Sequence, residues 1–137
     1  MMKLPLRKPL PSHVTLIFDG SCGFCTRSVR LIRALDRDHR VTAVPYQKPG
    51  TPEEHGLSLA QCETAIWAIT PEQDRYSGAA AINAALAVVL ETRLPLWFYA
   101  APGVRRLQER AYSLIARNRR RFPGDAPYCR QHPQGCR

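Results

Sequence analysis

Two cysteines with two residues between them, Cys22-Gly23-Phe24-Cys25, are the feature of this 137-residue chain best suited to chemistry. Thiols one helical turn apart can close a disulfide and reopen it by exchange. Position separates that use from idle packing. The pair follows Val14-Thr15-Leu16-Ile17-Phe18, which is apolar on both faces and predicts a buried strand. Asp19-Gly20 signals a turn, and Ser21 is expected to cap a helix that starts near Cys22. Free N–H groups and the dipole at a helix start stabilise a thiolate and lower its pKa. Cys22, at the very start and facing outward, is therefore expected to attack. Cys25, turned into the helix stripe and less accessible, is expected to resolve the mixed disulfide. Asp19 can serve as acceptor of the Cys25 proton, as an ordinary turn residue, or as both. Phe24 either covers the disulfide, meets an apolar partner, or packs.

Metal binding is the rival chemistry. Cys129, His132 and Cys136 form a second cluster, which with Cys22 and Cys25 contains enough ligands for zinc. On that reading the protein is a zinc-stabilised module binding nucleic acid or another protein. Alternatively Cys129 and Cys136 bond to each other or regulate the first pair. Cys62 reads as a core residue. His13, His39 and His55 are scattered and suggest no acyl-transfer site, and no phosphate-binding glycine loop is present. Five cysteines is an odd count, and the N-terminal residues have no apolar signal-peptide core. A cytoplasmic protein with redox or metal use of its thiols is expected, rather than a disulfide framework.

The elements that must position these residues can be read from periodicity. Cys25, Val29, Ile32 and Leu35 form a helical stripe, with Arg27, Arg30, Arg33 and Arg37 on the other face. Val41-Thr42-Ala43-Val44 predicts a second strand stopped by Pro45, which completes a βαβ unit. Helix starts follow at Thr51-Pro52-Glu53-Glu54 and Ser58-Leu59-Ala60-Gln61. A third strand is expected over Ala65–Ile69, and a short antiparallel one at Arg75-Tyr76. Ser77 is expected to cap a nearly uncharged, buried helix reaching Leu90. Leu94 to Val104 is expected to pack in the core, with membrane contact as the alternative. A last helix runs from Pro102 or Gly103 to about Phe122, with Leu107, Ala111, Leu114, Ile115 and Phe122 facing inward. The tail after Pro123 reads as loop. Residues 1–12 read as a flexible arm and 13–137 as one domain.

Twenty Lys and Arg against eleven Asp and Glu give a formal charge of +9, with 45% hydrophobic residues, which excludes a disordered chain. The longest uncharged run, Tyr76 to Leu90, has fifteen residues. A spanning helix needs about twenty, so no transmembrane segment is expected. Residues 103–137 hold nine basic and two acidic side chains. The block Arg117-Asn118-Arg119-Arg120-Arg121 suits a solvated helix end, or phosphate binding through counterion release.

Leu16-Ile17-Phe18-Asp19-Gly20-Ser21-Cys22-Gly23-Phe24-Cys25 resembles the opening motif of the DCC family of thiol–disulfide oxidoreductases. Ser77-Gly78-Ala79 and Tyr112-Ser113-Leu114-Ile115-Ala116-Arg117-Asn118-Arg119 resemble its later segments. The resemblance spans residues 14 to about 129. It implies an α/β thioredoxin-like fold: a small central mixed sheet flanked by helices, here with an added basic C-terminal helix. It implies dithiol exchange with a protein disulfide or a low-molecular-weight thiol such as glutathione, with no cofactor beyond the cysteines. Asp19, Cys22 and Cys25 carry over as catalytic. Gly23, Phe24, Arg117 and Arg119 are expected on the substrate side. Thioredoxin-like enzymes place a proline just before the third strand. Here Gln61-Cys62-Glu63-Thr64 stands there instead.

Overall fold

The computed structural model describes residues 10–136. In order, β1 (Val14–Phe18), α1 (Gly23–Leu35), β2 (Val41–Pro45), α2 (Thr51–Glu54), α3 (Leu59–Thr64), β3 (Trp67–Ile69) and β4 (Arg75–Ser77) make up the first half. α4 (Ala79–Leu90), α5 (Leu94–Ala100), α6 (Val104–Arg117) and α7 (Tyr128–Gln131) follow, with 3-10 turns at Arg119–Arg121 and Pro133–Cys136. The sheet order is β2-β1-β3-β4. β1 runs parallel to β2 and antiparallel to β3, and β3 is antiparallel to β4. This mixed sheet with its helices is an α/β architecture consistent with the thioredoxin-like fold.

β1 is buried because the sheet is covered on both faces. Val14 and Leu16 enter a cluster with the α4 alanines and Val88, whereas Ile17 points the other way, to Leu57, Cys62 and Ile69. Small side chains let α4 approach the strands closely, and eight of its residues are buried. β2 stops at Pro45 as expected, with Pro45 itself as the last paired residue, in register with Phe18. β3 is shorter than expected, and β4 reaches Ser77, so Gly78 rather than Ser77 precedes α4. Its φ of 62° is one that glycine tolerates. Leu10, within the expected arm, packs against the core. Residues 1–9 of that arm lie outside the described residues.

α6 overturns its apolar reading. Leu107, Ala111, Leu114, Ile115 and Phe122 are all exposed. Polar contacts dock the other face. Tyr112 Oη accepts from Ile66 N–H at 2.9 Å, Gln108 Oε1 accepts from Asn83 Nδ2 at 2.7 Å, and Glu109 accepts from Tyr99 Oη at 2.9 Å. Buried donors that would otherwise lose water select the face that supplies their acceptors. Helix α6 also ends sooner than Phe122, at Arg117. In α5, Leu96 and Tyr99 are buried but Leu94, Trp97 and Phe98 are exposed, so only half of that segment packs inward. The tail is not plain loop, since it forms α7 and a 3-10 turn. Tyr112→Phe is expected to cost about 1 kcal/mol, because it strands the Ile66 N–H. A denaturant midpoint that falls at unchanged slope checks this, and an unshifted midpoint would show that the hydroxyl docks nothing.

Candidate active site

The β1–α1 connection positions the pair. Asp19 is buried at the end of β1. Its Oδ1 accepts from Ser21 N–H at 2.9 Å and Gln47 Nε2 at 2.7 Å, and Oδ2 pairs with Arg119 Nη2 at 2.8 Å. Gln47 Oε1 in turn accepts from Gly20 N–H at 2.9 Å. The turn is thus held from β2's side and from the end of α6. Cys22, not Ser21, is the N-cap of α1, and its Sγ accepts the Cys25 N–H at 3.1 Å. Arg119 Nη1 lies 3.9 Å from Cys25 Sγ. One guanidinium therefore bridges Asp19 and the dithiol.

The thiols are polarised in opposite directions. Cys22 is lowered to about 6, chiefly by the hydrogen bond from the Cys25 thiol. The Cys25 N–H and Arg119 add to this, against burial and Asp19. Cys25 is pushed up by donating to Cys22, by burial and by the Cys22 charge. The accessibility expectation is reversed, however. Cys22 is only 7% exposed, whereas Cys25 is half-buried. Capping explains the inversion, since a side chain that folds back over its own helix start gives up solvent for backbone N–H groups.

Two clefts reach the pair. A polar one is lined by Asp19, Ser21, Cys22, Phe24, Arg119 and Phe122. A more apolar one brings Phe18, Ile66, Ile82, Tyr112 and Ala116 to Cys25. Phe24 borders both and packs on Phe122 at 5.4 Å between ring centroids. Alkylation by a small haloacetamide should report the polarised state. The Cys22 rate is expected to rise through a midpoint near pH 6 and level off by about pH 7.5, because only the thiolate reacts. A free thiol would still be climbing above pH 8, and that profile would refute the polarisation.

The tail closes over the motif. Asp125 N–H donates to Gly23 O at 3.1 Å, Cys129 N–H to Gly20 O at 2.9 Å, and Tyr128 N–H to Thr26 Oγ1 at 3.1 Å. A Cβ on Gly23 would stand 2.5 Å from the Asp125 carbonyl oxygen, and one on Gly20 2.5 Å from Cys129 Sγ. Both glycines permit this docking. Gly23 therefore meets the chain's own backbone. Arg117 is exposed in a neighbouring groove with Thr64, Ser77 and Glu109, apart from the thiols. The zinc set does not assemble. Cys129 is bonded to Cys136, and His132 stacks on Tyr128. No group of three or more His, Cys, Asp or Glu able to hold a metal occurs among the described residues. Cys62 is buried, as expected of a core residue.

The sequence model of the DCC1-like thiol-disulfide oxidoreductases matches residues 16–125, from β1 to the start of the docked tail. The chain belongs to that family. The match includes Asp19, both thiols and Arg119, the four groups that the fold brings together. No curated protein and no solved structure matches the chain. Gln47 and Tyr112 escaped the sequence reading as site residues. Gln47 lies in an irregular loop with no motif. Tyr112 shares the face of Gln108, Ala116 and Arg119, a polar spacing that an apolar search passes over. No helix among the described residues is long and apolar enough to cross a membrane.

Proposed function

We propose that the protein exchanges disulfides through Cys22 and Cys25. The observation that carries this is the capped Cys22 Sγ, which accepts the Cys25 N–H at the helix start with Arg119 beside the pair. The Cys22 thiolate attacks one sulfur of a substrate disulfide. A Cys22–substrate disulfide forms, and the other substrate sulfur leaves as a thiolate and takes a proton from solvent. Cys25 then gives its proton to solvent and attacks Cys22 Sγ. The second substrate sulfur departs as a thiolate and takes up a proton, leaving a Cys22–Cys25 disulfide and a substrate reduced by two electrons. Arg119 stabilises the Cys25 thiolate as it forms. Asp19 acts as a positioning residue, because its oxygens are engaged by Ser21, Gln47 and Arg119.

The backbone just before β3 is already engaged within the chain. Here Ile66 N–H is taken by Tyr112 and Ile66 O by Gly78 N–H. That favours a small disulfide, such as that of glutathione, or a protein disulfide presented end-on over the polar cleft. Cys25→Ser incubated with glutathione disulfide is expected to retain one glutathione on Cys22, visible by intact mass. The unmodified chain should show a two-electron Cys22–Cys25 transition in glutathione buffers. Failure of both the adduct and the transition would sink this reading.

A further inference from the structure

Among the features not used by the dithiol, the outer face of α6 stands out. Leu107 and Leu114 are 69% and 57% exposed, with Ala111 exposed between them. The spacings of four and three put these residues on one stripe. Arg106, Arg110 and Arg117 run beside that stripe, all exposed. None of the three joins an ion pair among the described residues. The one acid of the helix, Glu109, is turned to the other face, where it accepts from Tyr99. The outer face is therefore apolar and purely cationic. The preceding α5, which packs on α6, leaves Leu94, Trp97 and Phe98 exposed at 63%, 54% and 62%. Their spacing of three and four places them on one face of that helix.

We propose that α6 lies on an anionic phospholipid surface. Leu107, Ala111 and Leu114 enter the acyl boundary, and Arg106, Arg110 and Arg117 meet headgroup phosphates. This is the pattern of helices that rest in the interface without crossing it: an apolar stripe, a basic flank and aromatic neighbours. Other occupants fit less well. A symmetric second copy would set the same three arginines against one another with no acid to relieve them. A nucleic acid would satisfy the arginines but leave the leucines in water. The inference does not depend on the thiol chemistry.

Vesicle flotation tests it, using phosphatidylcholine alone and phosphatidylcholine with a third phosphatidylglycerol. The full chain is expected to float with the anionic vesicles and to stay down with the neutral ones. Arg106→Gln/Arg110→Gln/Arg117→Gln should weaken partitioning on the order of 100-fold, since each surface arginine contributes about fivefold. Leu107→Ser/Leu114→Ser, which leaves the charge unchanged, should weaken it by about tenfold or more. The matched control is Arg27→Gln/Arg33→Gln/Arg37→Gln, on α1 and the turn that follows it, which removes equal charge elsewhere and should float like the parent. These positions are exposed, and the circular dichroism of each variant should match that of the parent. Three results would each overturn the proposal. The first is no flotation of the parent with anionic vesicles. The second is equal loss in the α1 control, meaning net charge alone. The third is a dimer in sedimentation velocity that Leu107→Ser/Leu114→Ser dissolves while vesicle binding is absent.

Discussion

Cys22→Ser is expected to lower disulfide exchange on the order of 1,000-fold or more, because a hydroxyl at neutral pH supplies neither the anion nor the sulfur that must bond. Cys25→Ser should behave differently. Its hydroxyl can still donate to Cys22, so the Cys22 thiolate persists and the first attack proceeds, but the mixed disulfide accumulates. Cys25→Ala removes the donor as well. The hydrogen bond from the Cys25 thiol is the largest influence holding Cys22 down. Its loss moves the Cys22 pKa upward, and the first attack at pH 7 should slow by about tenfold relative to Cys25→Ser. Stopped-flow exchange with a chromogenic disulfide separates the three variants. The half-buried state of Cys25 makes the opposite assignment a real rival. If Cys22→Ser still forms a stable mixed disulfide while Cys25→Ser does not, the attacking and resolving roles are reversed.

The parts of the fold legible in sequence were those set by local pattern. The buried strand β1, the turn at Asp19-Gly20 and the helix after it follow from β-branched apolar residues, turn chemistry and spacing. So does the capping box at Ser58, where the hydroxyl accepts from Gln61 N–H and Gln61 Oε1 from Ser58 N–H. The failures came where distant polar groups decide. The stripe through Leu107 and Leu114 is a good helical period, yet Asn83, Ile66 and Tyr99 hold α6 by its other face. Its apolar residues consequently stay in solvent. Tail docking was similarly invisible. It rests on backbone bonds to Gly20 and Gly23 and on the edge-on packing of Tyr128 against Phe18, and none of these has a sequence period. Arg119 occupies an intermediate place. The resemblance placed it on the substrate side, but only the meeting of the 3-10 turn after α6 with the β1–α1 turn shows why an arginine stands there.

That meeting gives Arg119 two separable roles, and a double-mutant cycle can tell them apart. Asp19 is buried, and its side chain pairs with an Arg119 that is itself 21% exposed. Arg119→Met leaves the carboxylate without its cation and should destabilise the fold by roughly 3 kcal/mol, the low end for a broken buried pair, because Ser21 and Gln47 remain. Asp19→Asn/Arg119→Met removes both charges and should recover most of that loss. Reactivity should follow a different rule. Arg119 lowers the Cys22 pKa and Asp19 raises it. Arg119→Met should therefore move the alkylation midpoint of Cys22 upward, and Asp19→Asn should move it downward. The double variant, although stable, should still resolve mixed disulfides about 10- to 100-fold more slowly than the parent, since no cation faces the forming Cys25 thiolate. Were the double variant to regain the parent's resolution rate along with its stability, Arg119 would be a structural clamp for Asp19 and nothing more. Shifts of the Cys22 midpoint in opposite directions in the two single variants would instead show that the guanidinium acts on the thiols directly.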